Sequence, residues 1–450
     1  MFQRIAFLLV LFAATAAWSQ VEPGATGGGV DIPDNDELMM TPPPVSGAAY
    51  PVMTRSELQA NYLSASLTVN GGYVDNVLPS QTATPVNDST FSIYPTIAIS
   101  RTSSRQQESF TYSPSFIFYQ PTNVLDTVDQ GATLAFQDRL TQRVILSVQD
   151  SFFRSSNVFD QSYLFSSGAV TGSSQTTASI VINPFTEALT NTTNGVISYQ
   201  YSRNSMVGGG GSYSIVDVPV SINSAGIPNT NIGGASAFYN RRLSRQQYLG
   251  LSYQYSRTTS GLLNQQSETQ TNLLFPFYTV YFARAFSFSI SAGPERVNVA
   301  LPQSLTYVSW LPNAVVSLGW QANRANIAAN YTHTTSSGQG LFGAFVANDI
   351  SLSGGWRVSR SWTLGLTTYY SNTATATPEL TTSVISTFVG GTTIAGQASL
   401  THSIGEHFIA TVGYERLHQQ YPGIPIIAAN PDSDQEYGRI VYQFRKPIRK

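Results

Sequence analysis

The sequence predicts an all-β protein, a transmembrane antiparallel up-and-down β-barrel of about 18 strands, with 16 strands as the alternative count. Three observations lead to this prediction. Long segments alternate apolar with small polar residues at a period of two, which is typical of strands with two different faces. Tight turns recur at intervals of roughly 40 residues, and the N-terminus has the features of a secretory leader.

The composition supports a β-rich membrane protein and excludes several classes of function. The chain has 450 residues, of which 42% are hydrophobic and only 11% are charged, with 24 Tyr and 24 Phe. Because 23 basic residues balance 25 acidic ones, the net charge is −2 and nucleic acid is not an expected partner. The absence of cysteine excludes disulfides and thiolate metal sites.

Three segments are predicted along the chain. Residues 1–19 carry one arginine and an apolar run at 5–14 that is too short to span a bilayer, so a cleaved signal peptide is expected. Residues 20–63 are rich in Pro and Gly without a period and are interpreted as a flexible periplasmic leader. Residues 64–450 form the transmembrane barrel.

The strand pattern is clear in the stretch "NRRLSRQQYLGLSYQYSRTT", residues 240–259. In an extended chain, Leu249, Leu251 and Tyr253 share one face, while Gly250, Ser252 and Gln254 share the other. The stretches "VISYQYS" and "FSFSISAG" alternate in the same way. The expected outward tyrosines toward strand ends are Tyr199, Tyr201, Tyr253, Tyr255, Tyr331 and Tyr414.

Eight tight turns separate the predicted strands into pairs. They are centred near Arg105, Gln142, Asn204, Arg245, Arg284, Arg324, Arg360 and Glu406. A β-propeller has blades of a similar period, but it needs four short strands in each repeat rather than two long ones. Strands of about ten residues with short turns at one end and longer loops at the other favour a membrane barrel.

From residue 64 to the end, the chain resembles bacterial outer-membrane β-barrel proteins. The most similar element is the last strand, "EYGRIVYQF", in which Gly438, Ile440, Tyr442 and Phe444 share a face, although "RKPIRK" follows the terminal aromatic residue. The resemblance implies that outer-membrane assembly machinery recognises this strand. It also implies that the tight turns and both termini lie in the periplasm and that the longer loops are extracellular.

Arginines concentrate near the predicted turns. The expected periplasmic-rim anchors are Arg105, Arg203, Arg241, Arg242, Arg245, Arg284, Arg324 and Arg360. Long arginine side chains reach lipid headgroups from such positions, whereas an anion-gathering vestibule is the alternative interpretation.

The candidate solute contacts are residues whose position in the strand alternation places them on the inner face of the barrel. The predicted lumen-facing residues are Tyr94, Tyr119, Tyr213, Tyr369, Asp349, Arg357 and Glu415. The tyrosine rings offer stacking surfaces for sugars, with simple filling of the lumen as the alternative. The remaining inward positions, Arg439 apart, are mostly Ser, Thr, Gln, Asn and Gly, so weak ion selectivity is expected.

Two local irregularities are predicted. Folding the hairpin about residues 203 and 204 places Gly208 opposite Tyr199, whose ring would cover the glycine. Folding about residues 104 and 105 places Pro95 opposite Pro114, and two facing prolines interrupt a regular ladder.

No catalytic constellation is expected. His333 and His402 have outward parity, His407 lies in a turn and His418 begins a loop, so none pairs with a Ser and an acid on an inward face. Their spacing also indicates no metal site, and no cofactor is predicted. The loop at 154–193 is the longest connection and either narrows the lumen or projects outward.

Three functional hypotheses follow. The first is an outer-membrane pore for passive passage of neutral or weakly charged polar solutes, saccharides among them. The second is the barrel component of exopolysaccharide export or surface assembly, in which the leader 20–63 engages a periplasmic partner. The third is a plugged structural barrel. Outer-membrane lipid is an expected partner in all three, and the oligomeric state is left open.

Overall fold

The computed structural model describes most of the chain from residue 61 onward. The described residues are 61–77, 86–103, 105–155, 188–217, 229–262, 265–282, 286–301, 305–336, 344–376, 390–420 and 432–447. The predicted signal peptide and almost all of the predicted leader therefore lie outside them, as does most of the predicted long loop.

The described residues form eighteen strands. Their bounds are β1 Tyr62–Val74, β2 Asp88–Thr102, β3 Gln106–Gln120, β4 Thr127–Asp138, β5 Val144–Ser155, β6 Ala188–Ser202, β7 Ser205–Asp217, β8 Asn229–Ser244, β9 Gln247–Leu262, β10 Gln265–Phe282, β11 Phe286–Leu301, β12 Leu305–Gln321, β13 Ala325–Ser336, β14 Phe345–Arg357, β15 Trp362–Thr375, β16 Gly390–Ile404, β17 Phe408–Gln420 and β18 Asp432–Pro447. A 3-10 turn at Asn123–Leu125 lies between β3 and β4. No helix in the described ranges is long and apolar enough to cross a membrane.

The strands form one closed antiparallel barrel. Each strand pairs with its neighbours in sequence, and β1 also pairs with β18 along its whole length, from Tyr62 opposite Pro447 to Val74 opposite Gln435. Closure leaves no unpaired sheet edge, which is a requirement for strands that cross lipid. The predicted fold class and the predicted count of 18 strands are confirmed.

The barrel has two distinct ends. Short connections join each even-numbered strand from β2 to β16 to the strand that follows it. We call the end of the barrel that carries these connections the turn end. Seven of the eight predicted turn centres fall in these connections, and Arg284 lies just outside the described residues. We call the opposite end the loop end. Both described termini, Tyr62 and Pro447, lie at the turn end, where they face each other.

The two faces of the sheet differ in polarity. Along β9, Leu249, Leu251 and Tyr253 are each more than 40% exposed on the outside, whereas Ser252 between them is 0% exposed. The same alternation runs around the barrel, and in β18 it leaves Ile440, Tyr442 and Phe444 exposed, as predicted. An apolar outer belt of this kind is the surface that a barrel presents to acyl chains.

Polar contacts lie on the outer surface near the loop end. The Arg257 guanidinium donates to the Glu268 carboxylate at 2.7 Å, and the Tyr253 hydroxyl donates to Asn272 Oδ1 at 2.8 Å. Both pairs are exposed and lie beyond the leucines of β9. The apolar belt therefore stops before it reaches the loop end. The polar band on the outer surface between the belt and the loop end is called the polar collar below.

Prolines interrupt the ladder as predicted. Between β2 and β3 the paired register stops at Ile93 opposite Phe116 and resumes at Ile97 opposite Tyr112, so the gap contains Pro95 and Pro114. Proline lacks the N–H that a ladder needs, which explains the gap. A second gap of the same kind lies between β10 and β11.

The second gap brings two backbones unusually close. It falls between Leu273 opposite Glu295 and Phe277 opposite Ser291, and it contains Pro276 and Pro294. A Cβ added to Gly293 in this gap would meet backbone atoms of Leu274 and would lie 3.0 Å from the Phe275 Cα. Glycine at position 293 therefore permits the close approach.

The predicted partner of Gly208 is wrong. The pairing of β6 with β7 shifts by one residue between Gln200 and Ser202, which places Gly208 opposite Ser198 instead of Tyr199. The ring that covers Gly208 belongs to Phe238, on the neighbouring strand β8. A bulge inserts one unpaired residue in one strand, so symmetric folding about the turn misses it.

Candidate functional site

The inner wall of the barrel is the candidate functional site, because it is the surface that a solute in the lumen would meet. Serines, threonines and asparagines dominate it, including Ser92, Thr269 and Asn330. A closed barrel with polar residues inside and apolar residues outside separates an aqueous path from lipid.

The inner wall is not equally accessible around the barrel. On β9 to β11 most of the inward side chains are buried, with Phe275 at 1% and Val299 at 0% exposure. On β5 and β7, inward Gln149 and Ser212 are exposed. Among the described residues, the water-accessible part of the wall therefore includes the side of the barrel that carries β5 and β7.

Four carboxylates point inward at a similar level. Their positions are Asp129 on β4, Glu295 on β11, Asp349 on β14 and Glu415 on β17. Each carboxylate lies seven to nine residues along its strand from the turn end. Glu415 is seven residues from Phe408, the first residue of β17, and Glu295 is nine residues from Phe286, the first residue of β11. With a rise of about 3.3 Å per residue and a tilt near 40°, this corresponds to a height of about 20 Å.

Neutral donors surround Asp349. Its Oδ1 accepts hydrogen bonds from the Ser371 hydroxyl at 2.6 Å and the Tyr369 hydroxyl at 3.2 Å, and its Oδ2 accepts one from the Thr332 hydroxyl at 3.3 Å. All four residues share the inner face of β13, β14 and β15. Asp349 and Tyr369 therefore both lie on the inner wall, where the sequence predicts that they contact a solute.

A second network holds Glu415. The Gln397 amide donates to Glu415 Oε1 at 2.5 Å and lies 3.3 Å from the Tyr437 hydroxyl. The Arg439 guanidinium stands 5.4 Å from the centre of the Tyr437 ring, which is a cation–π arrangement. Glu415 is inward, as predicted, and inward Arg439 lies on the neighbouring strand β18.

Sequence reasoning did not identify Asp129, Glu295 or Tyr437 as inward contacts. Glu295 is 3% exposed and accepts a hydrogen bond from the Asn313 amide at 3.2 Å. Asp129 accepts hydrogen bonds from the Thr127 and Ser155 hydroxyls at 3.3 and 3.4 Å. The alternation of faces along β4 and β11 could have identified Asp129 and Glu295 as inward, since both acids share a face with buried residues of their strands.

Three of the four predicted lumen tyrosines face inward. Tyr94 shares the inner face with Ser92, Tyr119 lies opposite inward Thr90, and Tyr369 contacts Asp349. The prediction for Tyr213 is wrong. Tyr213 is 49% exposed on the outer surface, opposite Thr193. The bulge near the 203–204 turn shifts β7 by one residue, and a shift of one residue exchanges the two faces of a strand.

Seven of the eight arginines predicted as rim anchors lie at or near the turn end of the barrel. Arg105, Arg203, Arg245, Arg324 and Arg360 are exposed in or beside the connections at the turn end. Arg241 and Arg242 are at the same end of β8, while Arg284 lies outside the described residues. Arg357, the last residue of β14, has inward parity, but it is exposed at the turn end, far from Asp349 along the strand.

An ionic network occupies the outer surface at the loop end. Arg416 contacts Asp432 at 2.9 Å and Asp434 at 3.4 Å, and His418 Nδ1 lies 3.1 Å from the same Asp432 carboxylate. Beside it, burial raises the pKa of the Asp75 carboxyl, which accepts a hydrogen bond from the Asp434 backbone N–H at 2.7 Å. This network belongs to the polar collar and not to the lumen.

The other histidines also lie off the inner wall. His333 has the parity of exposed Tyr331, His402 stacks on Trp362 with ring centres 4.3 Å apart, and His407 lies in a turn. Within the described part of the chain, no group of three or more His, Cys, Asp or Glu could hold a metal ion.

Sequence comparisons find no counterpart. No family model matches this sequence, and no curated protein matches it.

Comparison with solved structures finds barrels of low sequence identity. The chain is 12% identical to the FrpB iron transporter from Neisseria meningitidis (F3-3 variant), covering 81% of this chain and 62% of that one, with a TM-score of 0.42. It is 10% identical to Pseudomonas aeruginosa OpdK with vanillate, covering 85% and 99% of the two chains, with a TM-score of 0.40. It is 9% identical to Acinetobacter baumannii OccAB4, covering 87% and 100%, with a TM-score of 0.42. The chain thus spans about three-fifths of FrpB and nearly the whole length of the other two.

Proposed function

We propose that this protein is an outer-membrane pore that passes polar solutes passively through the lumen of its 18-stranded barrel. The observation that carries the proposal is the separation of faces, since exposed Leu249 and Leu251 alternate with inward Ser252 in a closed sheet. Barrels of 16 to 18 strands are wide enough to hold an aqueous channel.

The orientation proposed for the barrel places the turn end in the periplasm. Arginines such as Arg203 and Arg324 surround this end and suit contact with anionic headgroups or with water at the membrane boundary. The last strand, β18, carries outward Ile440, Tyr442 and Phe444 to the same end and is the proposed signal for outer-membrane assembly.

The proposed solutes are neutral or weakly charged, with saccharides among them. Inward Tyr94 and Tyr119 lie on the adjacent strands β2 and β3, where their rings are partly accessible. Aromatic rings combine a large apolar face with a polar edge, and this combination suits the C–H faces and hydroxyls of a sugar ring. The neutral donors and acceptors along the wall suit the remaining hydroxyls.

Single-channel recording in planar bilayers tests the pore. We expect stepwise conductance with a small preference for cations, because four inward carboxylates outnumber Arg439 at mid-lumen. Asp349→Asn, which removes the one of these four carboxylates that is not fully buried, should move the reversal potential toward anions. Glu268→Gln, which alters a carboxylate on the outer surface, is the control and should leave the potential unchanged. Absence of current from folded, inserted protein would contradict the pore and favour a plugged barrel.

Blockade of the current by oligosaccharides tests the sugar contacts. Tyr94→Ala and Tyr119→Ala should each weaken the blockade by roughly 5- to 150-fold, since a base stacked on an aromatic side chain gains roughly 1 to 3 kcal/mol and each 1.4 kcal/mol is about tenfold in affinity. Tyr213→Ala is the matched control, because Tyr213 faces outward. Equal blockade in all three variants would contradict the proposed contacts while leaving the pore itself untouched.

A further inference from the structure

Three aromatic rings lie on the inner wall in the half of the barrel next to the turn end. Phe238 on β8 and Phe275 and Phe277 on β10 occupy inward positions, five to seven residues from the turn ends of their strands. A Cβ added to Gly250 would meet the Phe277 ring, and one added to Gly208 would meet the Phe238 ring. These two rings therefore rest on the backbone of a neighbouring strand. We call the three rings the aromatic shelf.

The aromatic shelf is buried although it faces the lumen. Phe275, Phe277 and Phe238 are 1%, 2% and 6% exposed. The described strands form a single sheet, so an inward ring has the wall behind it and the lumen in front of it. Burial of both sides of these rings requires a second layer over the shelf. On β5, by contrast, inward Gln149 is exposed at a similar height, so the opposite part of the wall has no such cover.

Unpaired polar atoms beside the shelf indicate the chemistry of the covering layer. Asn240 lies inward on β8, two residues from Phe238, and is 1% exposed. Neither its amide nitrogen nor its amide oxygen has a hydrogen-bond partner among the described residues, and the same is true of the hydroxyl of Ser252, opposite Phe238. A carboxamide presents a donor and an acceptor side by side, and a peptide backbone has the complementary pair. Backbone over the shelf would therefore satisfy Asn240.

The topology indicates which part of the chain supplies this backbone. Tyr62 begins β1 at the turn end, so residues 20–60 join the barrel there. The other segments longer than three residues that lie outside the described ranges join strands at the loop end. Phe277 is 12 residues from the loop end of β10 and five from its turn end, which corresponds to about 30 Å and about 12 Å along the barrel axis. The shelf is thus much closer to the end where residues 20–60 enter.

The sequence of this N-terminal segment suits an aromatic surface. Residues 38–45 read "LMMTPPPV". Proline-rich chains take the extended polyproline conformation and dock on grooves lined by aromatic rings, and methionine sulfurs make favourable contacts with such rings. Residue 45 precedes Tyr62 by 17 positions, which span up to about 53 Å at about 3.1 Å per residue. The diameter of an 18-stranded barrel is about 35 Å, so the segment can cross the lumen from β1 to the shelf.

We propose that residues 38–45 dock on the aromatic shelf inside the lumen and narrow it from the side of β8 to β10. The prolines and methionines pack on the rings, and Asn240 pairs with the backbone of the same segment. Because the wall at β5 stays accessible, docking narrows the lumen without filling it, and release of the segment widens it. The inference concerns the lumen of the proposed pore, but its tests measure no current, so a silent barrel and an undocked segment give different results.

Disulfide formation tests the docking, because the chain contains no cysteine of its own. In the full chain, Thr41→Cys combined with Ser252→Cys should form a disulfide on mild oxidation, detected by mass spectrometry of the digested protein. The matched control combines Thr41→Cys with Gln149→Cys, which lies inward at the same height, five residues from the turn end of its strand, and should form several-fold less disulfide. Equal yields from the two pairs would overturn the proposal. A disulfide between Ile182→Cys and Ser252→Cys instead would assign the cover to the connection 156–187 and would also overturn it.

A deletion keeps the test independent of disulfide chemistry. Ser252→Cys alone should react slowly with a water-soluble maleimide in the intact barrel. Deleting residues 38–45 should raise this rate about tenfold, which is the change expected when a segment docked nine-tenths of the time is removed. Deleting residues 22–29, an equally long stretch that reads "EPGATGGG", is the control and should leave the rate unchanged. An unchanged rate after deletion of residues 38–45, with the gel shift of the unheated barrel preserved, refutes the docking.

Discussion

Leu366→Arg is expected to destabilise the folded barrel by about 2 to 4 kcal/mol, whereas Thr367→Arg, one residue further along β15, is expected to be tolerated. Leu366 is 41% exposed on the outer surface and lies about 10 Å above the turn end, within the apolar belt. Thr367 has inward parity and lies opposite Ser353 and Gln397, where an arginine can reach water.

The free energy of unfolding of both variants can be measured by denaturant titration in lipid vesicles, with the gel shift of unheated samples as a second readout. In bilayers, Thr367→Arg should also move the reversal potential toward anions, which places position 367 in the conducting path. If the two variants lose equal stability, the assignment of the outer face to lipid is incorrect.

Gly293→Ala is expected to cost about 1 to 3 kcal/mol of stability, although it adds a single methyl group. The added Cβ would meet the backbone of Leu274 in the gap between β10 and β11, and backbone atoms cannot rotate away as a side chain can. Either the two strands separate or the register of β11 changes.

Gly71→Ala is the matched control for this substitution. Its Cβ meets nothing within 4 Å, so the only expected effect is a gain of up to about 1 kcal/mol from reduced freedom of the unfolded chain. Unfolding in urea, followed by tryptophan fluorescence, distinguishes the two. Similar stabilities for Gly293→Ala and Gly71→Ala would show that the strands do not approach closely at this gap.

The general architecture was predictable because it depends on short-range patterns. Period-two alternation indicated the strands, as in residues 249–256, and turn spacing indicated their pairing and number. The facing prolines Pro95 and Pro114 followed from the same counting. These predictions need only the position of a turn and the parity of each residue.

The incorrect predictions for Gly208 and Tyr213 have one physical cause, a β-bulge. Counting residue pairs outward from the turn assumes equal numbers of residues in both strands, so it cannot detect a bulge. The one-residue shift in the β6–β7 hairpin moved Tyr213 to the outer face and gave Gly208 a different partner. In β10, the run "LLFPF" offers no polarity alternation, so nothing in the sequence indicates that Phe275 and Phe277 face inward. The sequence also could not predict that Glu295 and Asp349 lie at a similar height in the barrel, because that height depends on the stagger between strands.

The pairing of β1 with β18 has a consequence for the order of events in the cell. The two strands that close the barrel lie at opposite ends of its sequence, Tyr62–Val74 and Asp432–Pro447. Until the last strand emerges, every intermediate keeps two open edges and an uncovered apolar belt, a combination that favours aggregation. The chain therefore cannot finish folding while it is being made or exported, and it needs protection until its final residues arrive at the membrane.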